Sequence, residues 1–306
     1  MKKVIAFAES NSSIGLGHLV RTAQVLSCLD KDKFKIDFYC DYKESPNWLL
    51  DIEHKKISVN NFFKLNLNSY DLLIFDSYEN REKLNQVNIK KLLIDDYSFS
   101  SKNENVDVIL DWNFETNKKF YSVDNLILGT KFFPIGINTY PEFLDKSSWN
   151  YESKNILISL GGVSDTNLVN IEHYIKLANN YGKVYLMDPL SRLNNYKKNN
   201  IKLIQNESLS STLNNYEFMF AIIAGGTSKY ITTAYAIPSL LIPRNELESL
   251  LIDKFLQKEL SFKESLLNKK NDKKHFYSEL EKISINLRRL IDNKNSERIN
   301  QALLHL

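Results

Sequence analysis

The segment "SIGLGHLVR" sets a histidine and an arginine, His18 and Arg21, one helical turn apart where an apolar strand gives way to a helix. Histidine titrates near neutrality, so His18 is a candidate to take a proton from water. Gly15 and Gly17 let the backbone turn tightly and approach a ligand. The exposed amides of a helix start favour an anion, and Arg21 is a candidate ligand for a phosphate or a substrate carboxylate.

Two familiar phosphate-binding patterns do not describe this segment. The residue three places after Gly17 is Val20, so the third glycine of a dinucleotide-binding turn is missing. No Lys-Ser or Lys-Thr pair follows, which excludes a Walker loop. Both residues also have a structural alternative. His18 could be a capping or packing residue, and Arg21 could be a solvated charge on the helix.

Two further glycine pairs follow apolar strands in the second half of the chain. In "ISLGGVSDTN", small polar residues and a helix-capping Asp165 come after the pair. In "AIIAGGTSKY", the pair is followed by hydroxyl side chains at a helix start, which could offer amides and hydroxyls to a diphosphate. Tight turns without any ligand are the alternative. The candidate residues are Gly161, Gly162, Gly225, Gly226, Thr227 and Ser228.

Acidic residues stand at the ends of two predicted strands in the first half. Asp76 ends "LLIFD", and Asp95 and Asp96 end "KLLIDD". Tyr78 and Tyr97 accompany them. Open α/β sheets bind their ligands at the carboxyl ends of the strands, which makes these acids candidates for a site. The alternative is that each aspartate caps the next helix.

Short apolar runs alternate with helical stretches, which is typical of parallel strands joined by crossover helices. The first five predicted strands cover residues 4–8, 35–40, 72–76, 91–96 and 108–113. The second five cover residues 155–162, 183–188, 201–205, 218–226 and 239–243. The stretch 126–151 has no sustained period. This order predicts two α/β domains, residues 1–140 and 154–306, with a linker at 141–153.

The composition bounds the class of protein. A chain of 306 residues exceeds what one hydrophobic core usually fills, which also favours two domains. With 40 basic and 37 acidic residues, the net charge of +3 gives no indication of nucleic-acid binding. Cys28 and Cys40 lack metal-type spacing and exclude a disulfide framework. The first apolar run stops at Glu9, too soon for a signal peptide or a membrane span, so we expect a cytoplasmic protein.

The motifs together resemble a known superfamily. The chain contains "G-x-G-H-x-x-R" after the first strand, "SLGG" opening the second half, "AGGTS" before a helix ending in "AIP", and a final "LIDNKNSERINQALL". This order resembles the two-domain GT-B glycosyltransferases over nearly the whole chain. It is most similar to the hydrolases of pseudaminic acid biosynthesis (spore-coat-polysaccharide-type glycosyltransferase-like proteins), which cleave UDP-2,4-diacetamido-2,4,6-trideoxy-β-L-altropyranose to the free sugar and UDP.

The resemblance implies an α/β fold of two Rossmann-like domains with parallel sheets, a substrate in the interdomain cleft, and a last helix packing back toward the first domain. It implies inverting attack of water at the anomeric carbon, with no metal or other cofactor. By the same resemblance, His18 activates or positions that water, Tyr78 lies near the sugar, and Gly15 and Gly17 form the loop beside them. The loops at Gly161-Gly162 and at 225–228 correspond to those that hold the nucleotide.

The sequence departs from the family at the nucleotide side. Ile231 stands where the family has a glutamate that accepts hydrogen bonds from the ribose hydroxyls. The family's Asn-Gln pair appears as Asn245-Glu246, and "IGINTYPEF" lacks the arginine that usually closes the first domain. Asn245 remains a candidate nucleotide ligand, and Glu246 or Glu248 could replace the missing carboxylate. The departures leave open an altered nucleotide or a lost activity.

Three functions follow as hypotheses. The first is a nucleotide-sugar hydrolase that releases a free amino-deoxy sugar and UDP in nonulosonic acid or surface-glycan biosynthesis. The second is a GT-B glycosyltransferase with a saccharide or lipid acceptor, for which "SPNWLLDIEHKK" (45–56) is either a membrane-facing patch or a core-facing helix. The third is a non-catalytic protein that binds a nucleotide sugar. The expected partner is the nucleotide sugar; membrane contact is not expected, and the oligomeric state is open.

Overall fold

A computed structural model describes the chain except for residues 11–15, 44–52, 97–104, 136–148, 162–169, 189–190, 192, 194–195, 197–199 and 269–271. The chain divides into two compact units. Unit 1 contains Met1–Ser45, Leu49–Ile137 and Asn293–Leu306. Unit 2 contains Pro46–Trp48 and Asn138–Asp292.

Unit 1 is built on a seven-stranded sheet with the order β3-β2-β1-β4-β5-β6-β7, in which neighbouring strands are parallel. Its strands are β1 (Lys2–Glu9), β2 (Phe34–Asp41), β3 (Lys55–Lys56), β4 (Leu72–Asp76), β5 (Lys90–Ile94), β6 (Val108–Asp111) and β7 (Leu126–Leu128). Continuous apolar runs form the central strands because both faces of a parallel sheet are covered. All five residues of β4 are buried, for example.

Two helices in the first part of unit 1 are α1 (Gly17–Ser27) and α2 (Val59–Phe62). Short 3₁₀ turns lie at Leu67–Ser69, Arg81–Gln86, Lys118–Phe120 and Thr130–Phe132. A cluster of aromatic side chains fills one side of the sheet: Phe7 stacks on Phe75 and contacts Phe62. These rings pack over the pairing of β1 with β4, in which Ala8 lies opposite Asp76.

Unit 2 has a five-stranded parallel sheet with the order β10-β9-β8-β11-β12. Its strands are β8 (Asn155–Ser159), β9 (Lys183–Met187), β10 (Ile201–Ile204), β11 (Phe220–Ala224) and β12 (Ser239–Ile242). Its helices are α3 (Ile171–Ala178), α4 (Leu209–Asn215), α5 (Ser228–Ala234), α6 (Glu246–Gln257) and α7 (Lys273–Leu287), with a 3₁₀ turn at Glu264–Leu266. The two sheets are parallel α/β layers, as the alternation of apolar runs predicts.

The chain returns to unit 1 for its last helix, α8 (Asn295–Leu304). Asn295 donates to the carbonyl oxygen of Phe133 at 3.0 Å, and Asn300 accepts from the backbone amide of Asp30 at 3.1 Å. Ile299 and Leu303 are buried. Residues 293–306 belong to unit 1, and the sequence prediction places them in the second domain with the last helix packing back toward the first.

Two short strands were missed by the sequence prediction. β3 and β7 form the two edges of the first sheet and have only two and three residues, too few for a recognisable apolar run. β7 lies inside the aperiodic stretch 126–151. At the end of that stretch, Trp149 donates to the carbonyl oxygen of Met219 at 2.7 Å in unit 2. Most of the proposed linker and of the 45–56 patch lies outside the described residues.

No helix among the described residues combines the length and apolarity needed to cross a membrane.

Candidate functional site

The carboxyl edge of the first sheet carries a row of buried acids. Glu9, Asp76 and Asp111 are the last residues of β1, β4 and β6, and Asp95 directly follows β5. Each is at most 9% exposed. A buried carboxylate needs hydrogen bonds or a cation, because burial without partners costs several kcal/mol. The row therefore requires donors from the neighbouring elements.

Helix α1 supplies the donors for Asp76 from a single face. His18, Arg21, Thr22 and Val25 are all buried, and their spacing of three and four residues places them on one stripe of the helix. In most helices this stripe is apolar. Here three of its four residues are polar, because the stripe faces the ends of the strands.

Arg21 joins two of the acids. Its Nε and Nη2 each donate to an oxygen of Asp76 at 2.6 Å, and its Nη1 donates to Asp96. Burial alone would raise the pKa of Asp76, but the positive charge of Arg21 outweighs it and lowers the pKa to about 2. The same balance holds the pKa of Asp96 well below its usual range. Arg21 is thus bound to carboxylates of the chain itself, not left as a solvated charge.

His18 is oriented by the same aspartate. Its Nδ1 lies 3.0 Å from Oδ1 of Asp76, and its ring packs edge-on against Tyr78 with 4.3 Å between ring centroids. The residue is only 3% exposed. The carboxylate selects the tautomer with hydrogen on Nδ1 and leaves Nε2 as an acceptor. Among the described residues, Nε2 has no hydrogen-bond partner.

Tyr78 completes this chain of contacts. Its hydroxyl donates to Asp96 at 2.6 Å, and the guanidinium carbons of Arg21 and Arg81 lie 5.7 and 5.5 Å from its ring centre. Burial and the charge of Asp96 raise the pKa of Tyr78 well above its usual range, so the phenol stays neutral. The connected order is His18, Asp76, Arg21, Asp96 and Tyr78.

A second set of polar residues was missed by the sequence analysis. Asn113 donates from Nδ2 to Asp111 at 2.8 Å and to Asp96 at 3.2 Å, and so links β6 to the network. At the end of β1, Glu9 accepts from Ser77 and, at 3.2 Å, from Asn80. The signal that could have identified Asp111 and Glu9 is the one used for Asp76, an acid at the end of a parallel strand.

At three glycines of unit 2, the space that a side chain would occupy is filled by other residues of the protein. Gly161 follows β8 with φ of +84°, and a Cβ there would lie 3.3 Å from Nη1 of Arg244. A Cβ on Gly226 would lie 2.5 Å from Nη2 of the same arginine. A Cβ on Gly225 would lie 2.7 Å from Cδ1 of Ile252 on α6. Side chains at these three positions would displace Arg244 or α6.

The other predicted residues of unit 2 have structural partners. Asn245 caps α6 by accepting from the backbone amide of Glu248 at 2.8 Å. Thr227 is the N-cap of α5 without a side-chain cap hydrogen bond, and Ser228 is the first residue of that helix. Ile231 is buried on α5. Arg244 was missed, although its spacing of four residues from Glu248 is a typical ion-pair spacing.

The structure therefore groups the predicted residues into two sets. His18, Arg21 and Tyr78 meet in unit 1. Gly161 and Gly226 meet at Arg244 in unit 2. At Gly17 a Cβ would meet no described residue within 4 Å, so packing against the described part of the chain does not require glycine there. Gly15 and Gly162 lie outside the described residues.

No family model and no curated protein matches the sequence. Solved structures do match. The chain is similar over 100% of its length to the MnaA protein of S. aureus in complex with UDP, with a TM-score of 0.65, 11% identity and 96% of that chain covered. Over 97% of its length it is similar to a candidate UDP-N-acetylglucosamine 2-epimerase of Listeria monocytogenes, with a TM-score of 0.66, 10% identity and 94% of that chain covered.

A third similar structure is Phytolacca americana UGT2 complexed with UDP-2-fluoroglucose and pterostilbene, at a TM-score of 0.61 and 10% identity, with 99% of this chain and 98% of that one covered. Two parallel sheets with helices are common to these matches. The chain has the GT-B fold. In this GT-B chain, the candidate residues of each unit lie at the carboxyl ends of that unit's strands, where open α/β sheets bind ligands.

Within the described ranges, no three His, Cys, Asp or Glu side chains of the GT-B chain are grouped as a metal ion would require.

Proposed function

We propose that the protein hydrolyses a nucleotide sugar and releases a free amino-deoxy sugar and a nucleoside diphosphate, with UDP as the nucleotide. The observation that carries the proposal is the Asp76–His18 pair, in which Nδ1 is bound at 3.0 Å and Nε2 is left for a proton. The GT-B fold and the UDP complexes among the similar structures support a nucleotide sugar as substrate. The sugar and its place in nonulosonic acid or surface-glycan biosynthesis rest on the sequence resemblance.

In the proposed reaction, water attacks the anomeric carbon of the sugar while Nε2 of His18 takes one of its protons. The new bond joins the water oxygen to the anomeric carbon. The bond that breaks joins this carbon to the diphosphate oxygen, which leaves with the electron pair. Asp76 stabilises the imidazolium that forms, since its depressed pKa of about 2 keeps it ionised.

Arg21 and Tyr78 have supporting roles in this proposal. Arg21 is a positioning residue: it holds Asp76 through two hydrogen bonds and so fixes the histidine that Asp76 binds. Tyr78 limits the rotation of the His18 ring by edge-on packing, and its neutral hydroxyl is held by Asp96. A sugar near His18 would contact the Tyr78 ring.

A glycosyltransferase is the second candidate, because Phytolacca americana UGT2 holds both a UDP-sugar analogue and pterostilbene. The same base would then take its proton from an acceptor hydroxyl instead of water. A non-catalytic binding protein would retain the nucleotide without releasing sugar.

Phosphorus NMR of the purified protein with UDP-, GDP- and CMP-sugars tests the proposal. The wild type should release a nucleoside diphosphate, and His18→Asn should lower turnover by about 10²- to 10⁴-fold while nucleotide affinity stays unchanged. His173→Asn is the matched control, since this histidine is exposed and pairs with Glu264 in unit 2.

Each outcome separates the candidates. Unchanged turnover in His18→Asn would remove the assigned role of His18. A transferase would be established if the protein bound a nucleotide sugar without releasing nucleoside diphosphate, and released it once a saccharide or lipid acceptor was added. Binding without release under either condition would establish a binding protein.

A further inference from the structure

Asp76 and Asp96 share one arginine at the carboxyl edge of the first sheet. Arg21 donates to Asp76 from Nε and Nη2 and to Asp96 from Nη1. In the part of the chain that the structure describes, no other guanidinium or ammonium group contacts either carboxylate. Burial would raise the pKa of both carboxyls, but the charge of Arg21 lowers it, so both are ionised at neutral pH. The three side chains together therefore carry one excess negative charge.

The other described groups near Asp96 do not supply the missing positive charge. Arg81, the second buried arginine of this edge, pairs with a different carboxylate, that of Asp95, at 2.6 Å. Tyr78 and Asn113 donate to Asp96 at 2.6 and 3.2 Å, but a phenol and an amide are neutral donors. The excess charge is thus solvated by hydrogen bonds and not cancelled by a second cation.

This charge is exposed to solvent at Asp96. Its side chain is 25% exposed, whereas the side chains of Arg21 and Asp76 are 2% and 0% exposed. Asp96 also lies beside the candidate base, because Tyr78 donates to it and packs edge-on against the ring of His18. A ligand that reaches Asp96 is therefore next to the residues of the proposed reaction.

We propose that Asp96 binds a positively charged amino group on the sugar of the nucleotide sugar. This inference rests on the proposed function. An ammonium group has three N–H donors and the charge that Asp76, Arg21 and Asp96 together lack. Among the described contacts, Oδ1 of Asp96 accepts one hydrogen bond, from Asn113, and has a lone pair left for a second.

The consequence is a preference among amino sugars. A nitrogen that carries an acyl group is a neutral amide, so it can donate a hydrogen bond to Asp96 but cannot balance its charge. The hydrolases that the sequence resembles act on a diacetamido sugar, in which both nitrogens are amides. The selection that we infer here, for a sugar with a free amino group, would separate this chain from them.

Titration calorimetry with UDP-glucosamine and UDP-glucose at pH 7 tests the inference. The two ligands differ in one group, which is an amino group in the first and a hydroxyl group in the second. The wild type should bind UDP-glucosamine about 10-fold more tightly, because a hydrogen bond to a charged group is stronger than a neutral one by roughly that factor. Asp96→Asn should remove this preference and leave the affinity for UDP unchanged.

Asp124→Asn is the matched control, since it removes an exposed carboxylate that precedes β7 in the same unit. It should keep the preference of the wild type. Equal binding of the two sugars by the wild type, or a preference that persists in Asp96→Asn, would overturn the inference and leave the proposed function standing. A wild type that binds neither UDP nor these UDP-sugars would count against the proposed function and, with it, this inference.

A third ligand makes the test independent of how well the variant folds. UDP-N-acetylglucosamine carries the same nitrogen as a neutral amide, so the wild type should bind it no more tightly than UDP-glucose. An affinity equal to that for UDP-glucosamine would overturn the inference, because the charge of the amino group would then contribute nothing.

Discussion

At the scale of single residues, the site of unit 1 depends on how buried charges are balanced. Asp76 accepts hydrogen bonds from Arg21 and Thr22 and lies against His18, so both of its carboxylate oxygens have partners. Burial opposes ionisation of Asp76, yet its pKa falls to about 2. This carboxylate contributes stability that is present above pH 4 and is lost as the pH falls toward 2.

At Asp111 burial outweighs the neighbouring donors, so its pKa shifts in the opposite direction to that of Asp76. This shift predicts how the free energy of unfolding changes with pH. Burial raises its pKa to about 7, against a hydrogen bond from Tyr121 and with the charge of Asp96 adding to the rise. Between about pH 4 and pH 7 the native protein holds a proton that the unfolded chain has lost. The contribution of Asp111 to the free energy of unfolding therefore falls as the pH rises through this window.

Asp111→Asn should remove this loss, because an amide stays neutral: its oxygen still accepts from Asn113, and its NH2 group can donate to the hydroxyl oxygen of Tyr121. Urea unfolding at pH 5 and pH 8 measures the change in the free energy of unfolding between the two pH values. The variant should gain stability relative to the wild type at pH 8. Asp253→Asn, at an exposed carboxylate on α6, is the control. The same pH dependence in Asp111→Asn and the wild type would show that Asp111 is ionised in the native protein at both values.

At the scale of elements, the turn after β11 illustrates how closely α6 packs. A Cβ on Gly225 would lie 2.7 Å from Cδ1 of Ile252, a distance that ordinary packing does not allow. Gly225→Ala should lower the free energy of unfolding by about 1–3 kcal/mol through overpacking. Urea unfolding of the purified variant measures the loss.

The matched rescue is Ile252→Val, which deletes the atom that the new methyl group would meet. In that background, Gly225→Ala should cost much less than in the wild type, and a double-mutant cycle gives the difference. Equal costs in both backgrounds would mean that the turn itself, not its contact with α6, requires glycine. Gly17→Ala should not lower stability, since a Cβ there meets no atom of the described residues within 4 Å and alanine has a higher helix propensity than glycine.

At the scale of the whole molecule, unit 1 is completed by the end of the chain. α8 buries Ile299 and Leu303 in unit 1, and Ser296 accepts from the Cys28 thiol at 3.2 Å. Burial raises the pKa of Cys28 to about 12, which keeps it a thiol at neutral pH. Cys28 therefore reports whether α8 is in place.

Deletion of residues 293–306 should lower the stability of unit 1 by ~3 kcal/mol or more, since two large apolar side chains lose their burial. It should also make Cys28 reactive toward a disulfide reagent at pH 8, where we expect the Cys28 thiol of the full chain to stay protected by its burial. Cys28→Ser in the shortened chain checks that the buried Cys40 stays protected. A Cys28 that stays unreactive after the deletion would contradict this role of α8.

Local sequence patterns were enough to predict the fold class and the long strands. Apolar runs such as "VIAFA" and "FMFAIIA" form buried parallel strands because both faces of a parallel sheet are covered, and that requirement is visible in any short window. The glycines and His18 directly follow an apolar run. This order is also visible in a short window, and it predicts a strand-to-helix turn. The same local patterns predict His18, Arg21, Tyr78 and the glycines at 161, 225 and 226 as candidate site residues.

Only the tertiary structure decided what these residues touch. Asp76 lies 58 positions from His18 and meets it because β1 and β4 pair in register, which no local pattern encodes. The same applies to Arg21, which binds acids of the chain where a ligand was expected, and to Arg244, which reaches turns formed far away in sequence. Charges converge at the carboxyl ends of parallel strands through the packing of the sheet, so their partners exist only once the sheet has formed.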